Sequence, residues 1–168
     1  MISTDYVKLM ARYNAWQNQS LYREAGKLSD AQRREDKAAF WKSIHGTLSH
    51  LMWADQLWMT RFGFDTHPRT RSNTGALASY ADFAELQTDR FKHDAFISDW
   101  ADMLKPVDLE GDLTWHSRIN NKDITKPRWV AIAHIFNHQT HHRGQVHAML
   151  TAFGARPDDT DLAFMPDI

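Results

Sequence analysis

The chain has 168 residues, and its 42% hydrophobic and 24% charged residues are typical of a globular protein of one domain. Its 20 Lys and Arg against 21 Asp and Glu give a formal net charge of −1, which disfavours a nucleic-acid-binding protein because such proteins need excess positive charge. The absence of Cys excludes disulfides, thiolate nucleophiles and Cys-containing metal sites, so any metal ion must be bound by His or carboxylate side chains.

No apolar run in the sequence approaches the roughly 18 residues that are needed to cross a bilayer. The N-terminal sequence MISTDYVKLMARYNAW also lacks the basic and then apolar layout of a secretory signal peptide. The sequence therefore predicts a cytoplasmic protein that has no membrane partner.

The first long segment with helical spacing of its apolar residues covers about residues 3–26 and stops at Gly26. Ser29 followed by Gln32 matches a capping box, which predicts one or two helical turns within residues 28–35. We expect this short element to belong to the connection that leads to the second long helix.

A second helix is predicted over residues 41–62, because apolar residues recur there at intervals of three and four. These residues occupy two sides of the helix: Leu48 and Trp58 share one face, whereas Ala54 and Leu57 lie on another. A helix that is apolar on two sides is central in the fold or packs against a second copy of the chain. We therefore expect a homodimer.

A polar, Pro-containing stretch at residues 64–75 is predicted to be a surface loop, and a third helix is predicted from Leu77 to about Leu104. The helical spacing fails over residues 107–127. A looser alternation on either side of Asn120–Asn121, which are turn-forming residues, predicts a short β-hairpin there.

Pro127 is expected at or near the first turn of a fourth long helix, which stops at Gly154. The acidic tail at residues 155–168 is predicted to lie along the surface. Four long helices without alternating strands and helices predict an all-α four-helix bundle that forms a single domain over residues 1–168.

Five of the 10 His lie in the predicted fourth helix, between positions 134 and 147. His138 and His142 are four residues apart, so their imidazoles lie one helical turn apart on the same side, where both can bind one metal ion. In metalloproteases with this spacing, a Glu follows the first His as the general base. This chain has Gln139 at that position, which excludes that class.

Two histidines on one helix need a third metal ligand from another element. His50 is the other His inside a predicted helix with largely apolar neighbours, and facing helices of a bundle commonly share metal sites. The alternative is that all three are hydrogen-bonded core histidines without a metal. Three His with an open coordination position are typical of catalytic zinc, so the pattern indicates a metal site formed by His50, His138 and His142.

The sequence resembles the DinB family of DinB/YfiT-like metalloenzymes in SIHGTLSHLMWADQLWMTRFG (43–63), HIFNHQTHHRGQVHAMLTAFG (134–154) and DLAFMPD (161–167). Together with YNAWQNQSLY near the N-terminus, the resemblance covers essentially the whole chain. It implies an up-down-down-up four-helix bundle, a dimer, and a divalent metal ion bound by the same three histidines. His134, Arg143 and Gln145 also belong to the longer motif of the family.

The resemblance implies a function as well, because some relatives are transferases or isomerases that use bacillithiol, mycothiol or glutathione. It favours a metal-dependent thiol S-transferase that acts on a small molecule, in which zinc or nickel holds the cofactor thiol as a thiolate. The alternatives are a metal-dependent hydrolase and a non-catalytic dimer that binds a metal or a small ligand. The candidate catalytic residues are His134, His141 and Arg143, with His134 or His141 as a proton relay.

A three-histidine site also predicts a dependence on pH. Imidazole binds a metal only when it is neutral, and its reference pKa is about 6.5. On that reference value, the stabilisation of the protein by metal should decline steadily from about pH 7.5 to about pH 5.

Overall fold

A computed structural model describes residues 1–118 and 120–166 of the chain. The described part is mostly helical, with five helices: α1 (Thr4–Gly26), α2 (Asp30–Arg34), α3 (Ile44–Arg61), α4 (Phe83–Met103) and α5 (Arg128–Ala152). Two strands, β1 (Asp112–Ser117) and β2 (Lys122–Pro127), form an antiparallel sheet between α4 and α5. The predicted helical class is confirmed for most of the described residues, and the predicted hairpin is present as a small two-stranded sheet.

Side-chain caps explain where the first two helices begin. The Ser3 hydroxyl accepts a hydrogen bond from the Tyr6 N–H at the start of α1, at 3.1 Å. At α2, the hydroxyl of Ser29 accepts from the Gln32 N–H, and the side chain of Gln32 accepts from the Ser29 N–H. This reciprocal pair is the predicted capping box, and it satisfies two backbone donors that the helix leaves unpaired.

Two long helices begin later than the apolar spacing predicts. α3 begins at Ile44 and not at residue 41, because the side chain of Ser43 caps it by accepting from the Gly46 N–H. α4 begins at Phe83 and not at Leu77, because the side chain of Asp82 caps it by accepting from the Ala84 N–H. Apolar spacing alone does not register these caps, since it continues through them.

The chain between α3 and α4 is irregular over residues 64–74, as predicted, and forms a short 3-10 turn at Gly75–Ala78. In the hairpin, Trp115 pairs with Ile124 across the two strands. The hairpin turn includes Asn121 at a φ of 47°, while Ile119 lies outside the described residues.

The end of the hairpin leads directly into the last long helix. Pro127 ends β2 and is the N-cap of α5, so it lies at the start of the helix, as predicted. Two further 3-10 turns lie at Pro106–Leu109 and Leu162–Phe164.

The four long helices pack around a shared interior. α1 contacts α4 and α5, while α3 contacts α5, α2, α4 and the Gly75–Ala78 turn. The buried residues of α3 therefore lie on both sides of the helix and are covered within one chain. Intrachain packing thus accounts for the two apolar sides of α3, and these sides no longer argue for a dimer.

A polar network occupies the interior between the long helices. Arg90 of α4 is 1% exposed, and it forms 2.8 Å ion pairs with Asp55 of α3 and with Asp94. Asn18 of α1 donates to Asp94 at 3.0 Å, and Gln139 of α5 donates to Asp55. The network thus joins all four long helices, and burial raises the pKa of Asp94 to about 6.

The C-terminal segment lies along α1, as predicted. The hydroxyl of Tyr13 donates to the carbonyl oxygen of Thr160 at 2.6 Å, and the Asp158 N–H donates to the hydroxyl of Ser20 at 2.7 Å. The tail prediction extended through residues 167–168, which lie outside the described part. No helix within the described ranges is both long and apolar enough to span a bilayer.

Candidate metal centre

Three histidines from two helices converge on one point. His50 lies on α3, and His138 and His142 lie one turn apart on α5. One ring nitrogen of each lies within 4.8 Å of a ring nitrogen of the other two. Nε2 of His50 and Nε2 of His138 lie 3.1 Å apart.

The separation between these two nitrogens fits a metal ion. Two imidazole nitrogens that bind one tetrahedral ion at about 2.0–2.1 Å lie about 3.3 Å apart, close to the 3.1 Å between His50 and His138. Two facing nitrogen lone pairs repel each other at this distance unless a proton or a cation lies between them. No carboxylate of residues 1–118 and 120–166 joins the cluster, so the donor set is three imidazoles, which suits zinc or nickel.

The three imidazole rings differ in whether a hydrogen bond at Nδ1 holds them in place. Nδ1 of His142 donates to the side-chain oxygen of Gln145 at 2.7 Å, and this bond fixes the tautomer in which Nε2 of His142 carries the lone pair that can bind a metal. The Nδ1 atoms of His50 and His138 are buried, with no hydrogen-bond partner among the described residues. Gln145, which the sequence analysis assigned only to the family motif, therefore fixes one ligand ring.

Burial keeps the three rings neutral, which is the state that binds a metal. Burial, together with a smaller effect of a charge on neighbouring His142, lowers the pKa of His50 to about 3. It lowers the pKa of His138 to about 2, with smaller effects from the neighbouring histidines. The pKa of His142 is also lowered by burial, although its hydrogen bond to Gln145 opposes the shift.

These low pKa values change the pH dependence that the reference pKa predicts. Below about pH 6.5 the unfolded chain takes up protons that the folded histidines do not. The free energy of unfolding therefore decreases as the pH is lowered. Protons do not compete strongly with a metal at the folded site until the pH is much lower. We therefore expect melting temperatures with and without chelator to fall in parallel from about pH 7.5 to about pH 5, with a nearly constant gap between them.

This expectation is tested by thermal melts of metal-loaded and chelator-treated protein at fixed ionic strength. A gap that closes near pH 6.5 would show that the three rings titrate at the reference pKa of about 6.5, contrary to their burial. Identical melts at pH 7.5 would show that no metal stabilises the protein.

Trp41 forms one wall of the cluster, a role that apolar spacing did not indicate. Its indole ring stacks on His50 with 4.0 Å between ring centres, and its Nε1–H points at Nε2 of His142 at 3.4 Å. Trp41 precedes α3 in a tight turn where Ala38 and Lys42 have φ values of 56° and 69°. Such conformations are unfavourable for residues other than Gly, and they bend the chain so that Trp41 covers the site.

The predicted catalytic candidates lie in different places. His134 is exposed beside the cluster, with its ring centre 5.5 Å from that of His138. His141 is exposed, with its ring centre 4.8 Å from that of His142. Arg143 lies on the opposite side of α5, where it is buried against α1 and donates to Asn14, so it is not part of the cluster. A catalytic role for His134 or His141 stays a prediction.

Comparison with known proteins identifies the family to which the sequence belongs. The DinB family model matches residues 1–168. The chain is 22% identical over 165 residues to Protein DinB of Bacillus subtilis (strain 168), and the match covers 94% of this chain and 92% of that protein. No solved structure matches the chain. Since the family model extends over the whole sequence, the chain belongs to the DinB family.

Proposed function

We propose that the chain binds one divalent metal ion through His50, His138 and His142 and is a metal-dependent transferase acting on a small thiol. The observation that carries the proposal is the convergence of three neutral imidazoles, which no carboxylate of the described residues joins. Zinc and nickel are the expected ions, because both bind imidazole well. The proposed scaffold is an up-down-down-up four-helix bundle of a single cytoplasmic domain.

The reaction type is the one that the resemblance to the family implies, and the composition of the chain is compatible with it. A bound divalent ion supplies Lewis-acid chemistry that keeps a small thiol deprotonated near neutral pH. The chain has no Cys, so it has no thiol nucleophile of its own. The substrate or cofactor therefore has to bring the nucleophilic sulfur.

In this proposal the residues around the histidine cluster have different roles. Gln145 holds the ring of His142, and Trp41 shields His50 from water. The His134 ring remains partly accessible, and partial desolvation and Arg61 lower its pKa. The ring is therefore neutral, the state in which it can accept the proton that a thiol releases.

A thiol screen on metal-loaded protein tests the proposal. Glutathione, bacillithiol and mycothiol are each incubated with a small electrophile such as 1-chloro-2,4-dinitrobenzene, and formation of the thioether is followed. We expect acceleration with at least one thiol, and loss of that acceleration in His138→Ala. A protein that binds metal but accelerates none of these reactions would instead be a metal-binding protein without transferase activity.

We also propose a homodimer, which is supported by the resemblance to the family and no longer by the apolar sides of α3. Sedimentation velocity at micromolar concentration is expected to give about twice the 19.5 kDa of one chain. A species that stays at 19.5 kDa across the concentration range would contradict the dimer.

A further inference from the structure

A cationic side chain lies on two indole rings at the end of α3. The guanidinium carbon of Arg61 lies 4.4 Å from the ring centre of Trp58 and 5.3 Å from that of Trp115 in β1. The two indole rings meet edge to face with 5.2 Å between their centres. The hairpin thus completes an aromatic cradle for Arg61.

Arg61 differs from the two buried arginines, Arg90 and Arg143, in its lack of acceptors. Among residues 1–118 and 120–166, no carboxylate lies within 4.0 Å of it and no oxygen accepts a hydrogen bond from it. Arg90 pairs with two carboxylates, and Arg143 donates to Asn14. None of the nitrogens of Arg61 is sealed from solvent without a partner, so its donors remain accessible. Burial lowers its pKa to about 10, where it is still a cation at neutral pH.

The cradle continues the seam that holds the three histidines. His50 faces His138 across the seam between α3 and α5, and Trp58 faces His134 with 5.0 Å between ring centres. His134 is in turn 5.5 Å from His138, so a line of rings connects the histidine cluster with Arg61. His50 and Trp58 are eight residues apart on α3, which corresponds to about 12 Å along the helix.

We propose that Arg61, cradled by Trp58 and Trp115, binds the anionic headgroup of the small molecule whose other end reaches the three histidines. A carboxylate or phosphate fits here, because each accepts two parallel hydrogen bonds from the guanidinium. The ligand lies along the α3–α5 seam over the exposed ring of His134, with about 12 Å between its two ends. This inference rests on the proposed function for the metal end of the ligand and identifies the substrate as an anionic thiol.

Two thiols that differ only in charge provide the test. Isothermal titration calorimetry of the metal-loaded protein compares 8-mercaptooctanoate with the neutral 8-mercaptooctan-1-ol, whose chains are long enough to follow the seam. A hydrogen-bonded ion pair with Arg61 is expected to make the acid bind about tenfold more tightly than the alcohol. In Arg61→Gln the two thiols should bind alike, while the affinity for the alcohol stays unchanged.

Matched variants separate local charge from general charge and from packing. Arg12→Gln removes the same charge from an exposed position on α1 and should keep the preference for the acid. Arg61→Lys keeps the positive charge but loses the paired N–H donors of the guanidinium, so the preference for the acid over the alcohol should be intermediate. Arg61→Met removes the charge but keeps apolar contact with the two indoles. Thermal melts of Arg61→Gln and Arg61→Met show whether each variant retains the fold.

The possible results distinguish this inference from the proposed function. A preference that persists in a folded Arg61→Gln or Arg61→Met protein, or an acid that binds no better than the alcohol in the wild type, overturns the anionic subsite. In that case metal-dependent binding of both thiols leaves the transferase proposal standing.

Probes without a thiol report on the subsite alone. If the protein binds no metal, the metal proposal fails. Arg61-dependent binding of octanoate to such a protein would still support the anionic subsite. A comparison of octanoate with octyl phosphate shows which headgroup the subsite prefers.

Discussion

Replacing both His138 and His142 with Ala is expected to lower the metal content from about one divalent ion per chain to nearly none. The double variant removes two of the three converging imidazoles and leaves His50 alone, with no carboxylate of the described residues in the cluster to compensate. A single imidazole does not retain an ion through dilution and dialysis. Elemental analysis of protein purified without an affinity tag measures the change.

His141→Ala is the matched control for this experiment. The ring of His141 is exposed and stands outside the converging set, although it is adjacent in sequence to His142. Metal content should therefore remain close to that of the wild type. Full occupancy in the folded His138→Ala/His142→Ala protein would show that the ion binds elsewhere.

Arg90→Met is expected to destabilise the protein by about 3–5 kcal/mol, because it leaves the buried carboxylates of Asp55 and Asp94 without their cation. Each of these two carboxylates pairs with Arg90 at 2.8 Å, and all three side chains are at most 5% exposed. Urea denaturation followed by circular dichroism measures the free energy of unfolding. The loss is the largest that we expect from any single substitution in this protein.

The same variant should show a characteristic pH dependence. Without Arg90, the folded state favours protonated carboxyls, so their folded pKa values rise further above the unfolded value of about 3.9. The folded state then binds more protons than the unfolded state, and stability falls as the pH rises. The destabilisation should thus be greater at about pH 8 than at about pH 5.

Arg23→Met serves as the control for the loss of an arginine. Arg23 pairs with Asp158 at the surface, where the two side chains are 49% and 47% exposed. Solvent-exposed pairs contribute about 1 kcal/mol or less. An equal loss of stability in the Arg90 and Arg23 variants would contradict a special role for the buried network.

Local sequence signals predicted most of the helices, while their first residues depended on polar side chains. Ser29 and Gln32 were recognisable because both members of the capping box lie three residues apart. Ser43 and Asp82 cap α3 and α4 in the middle of continuing apolar spacing, so the predicted starts were too early. The polar network around Arg90 was not predictable, because the residues that form it come from four separate helices.

The histidine cluster was partly predictable for a related reason. His138 and His142 are brought together by the helix itself, whose geometry is known in advance. His50 was selected from its apolar neighbours, and the structure places it against His138. Trp41 and Arg61 gave no such signal, because the first depends on a strained turn and the second on a hairpin that folds back over α3.

The position of His50 in the chain has a consequence for how the protein is assembled. His50 lies 88 residues before His138, so an ion held by all three rings would close a loop of that length. A nascent α5 already presents two ligands, whereas the third arrives only when the two halves of the chain meet. Tight metal uptake during refolding should therefore follow the docking of α3 onto α5, and its rate would report on that long-range step rather than on helix formation.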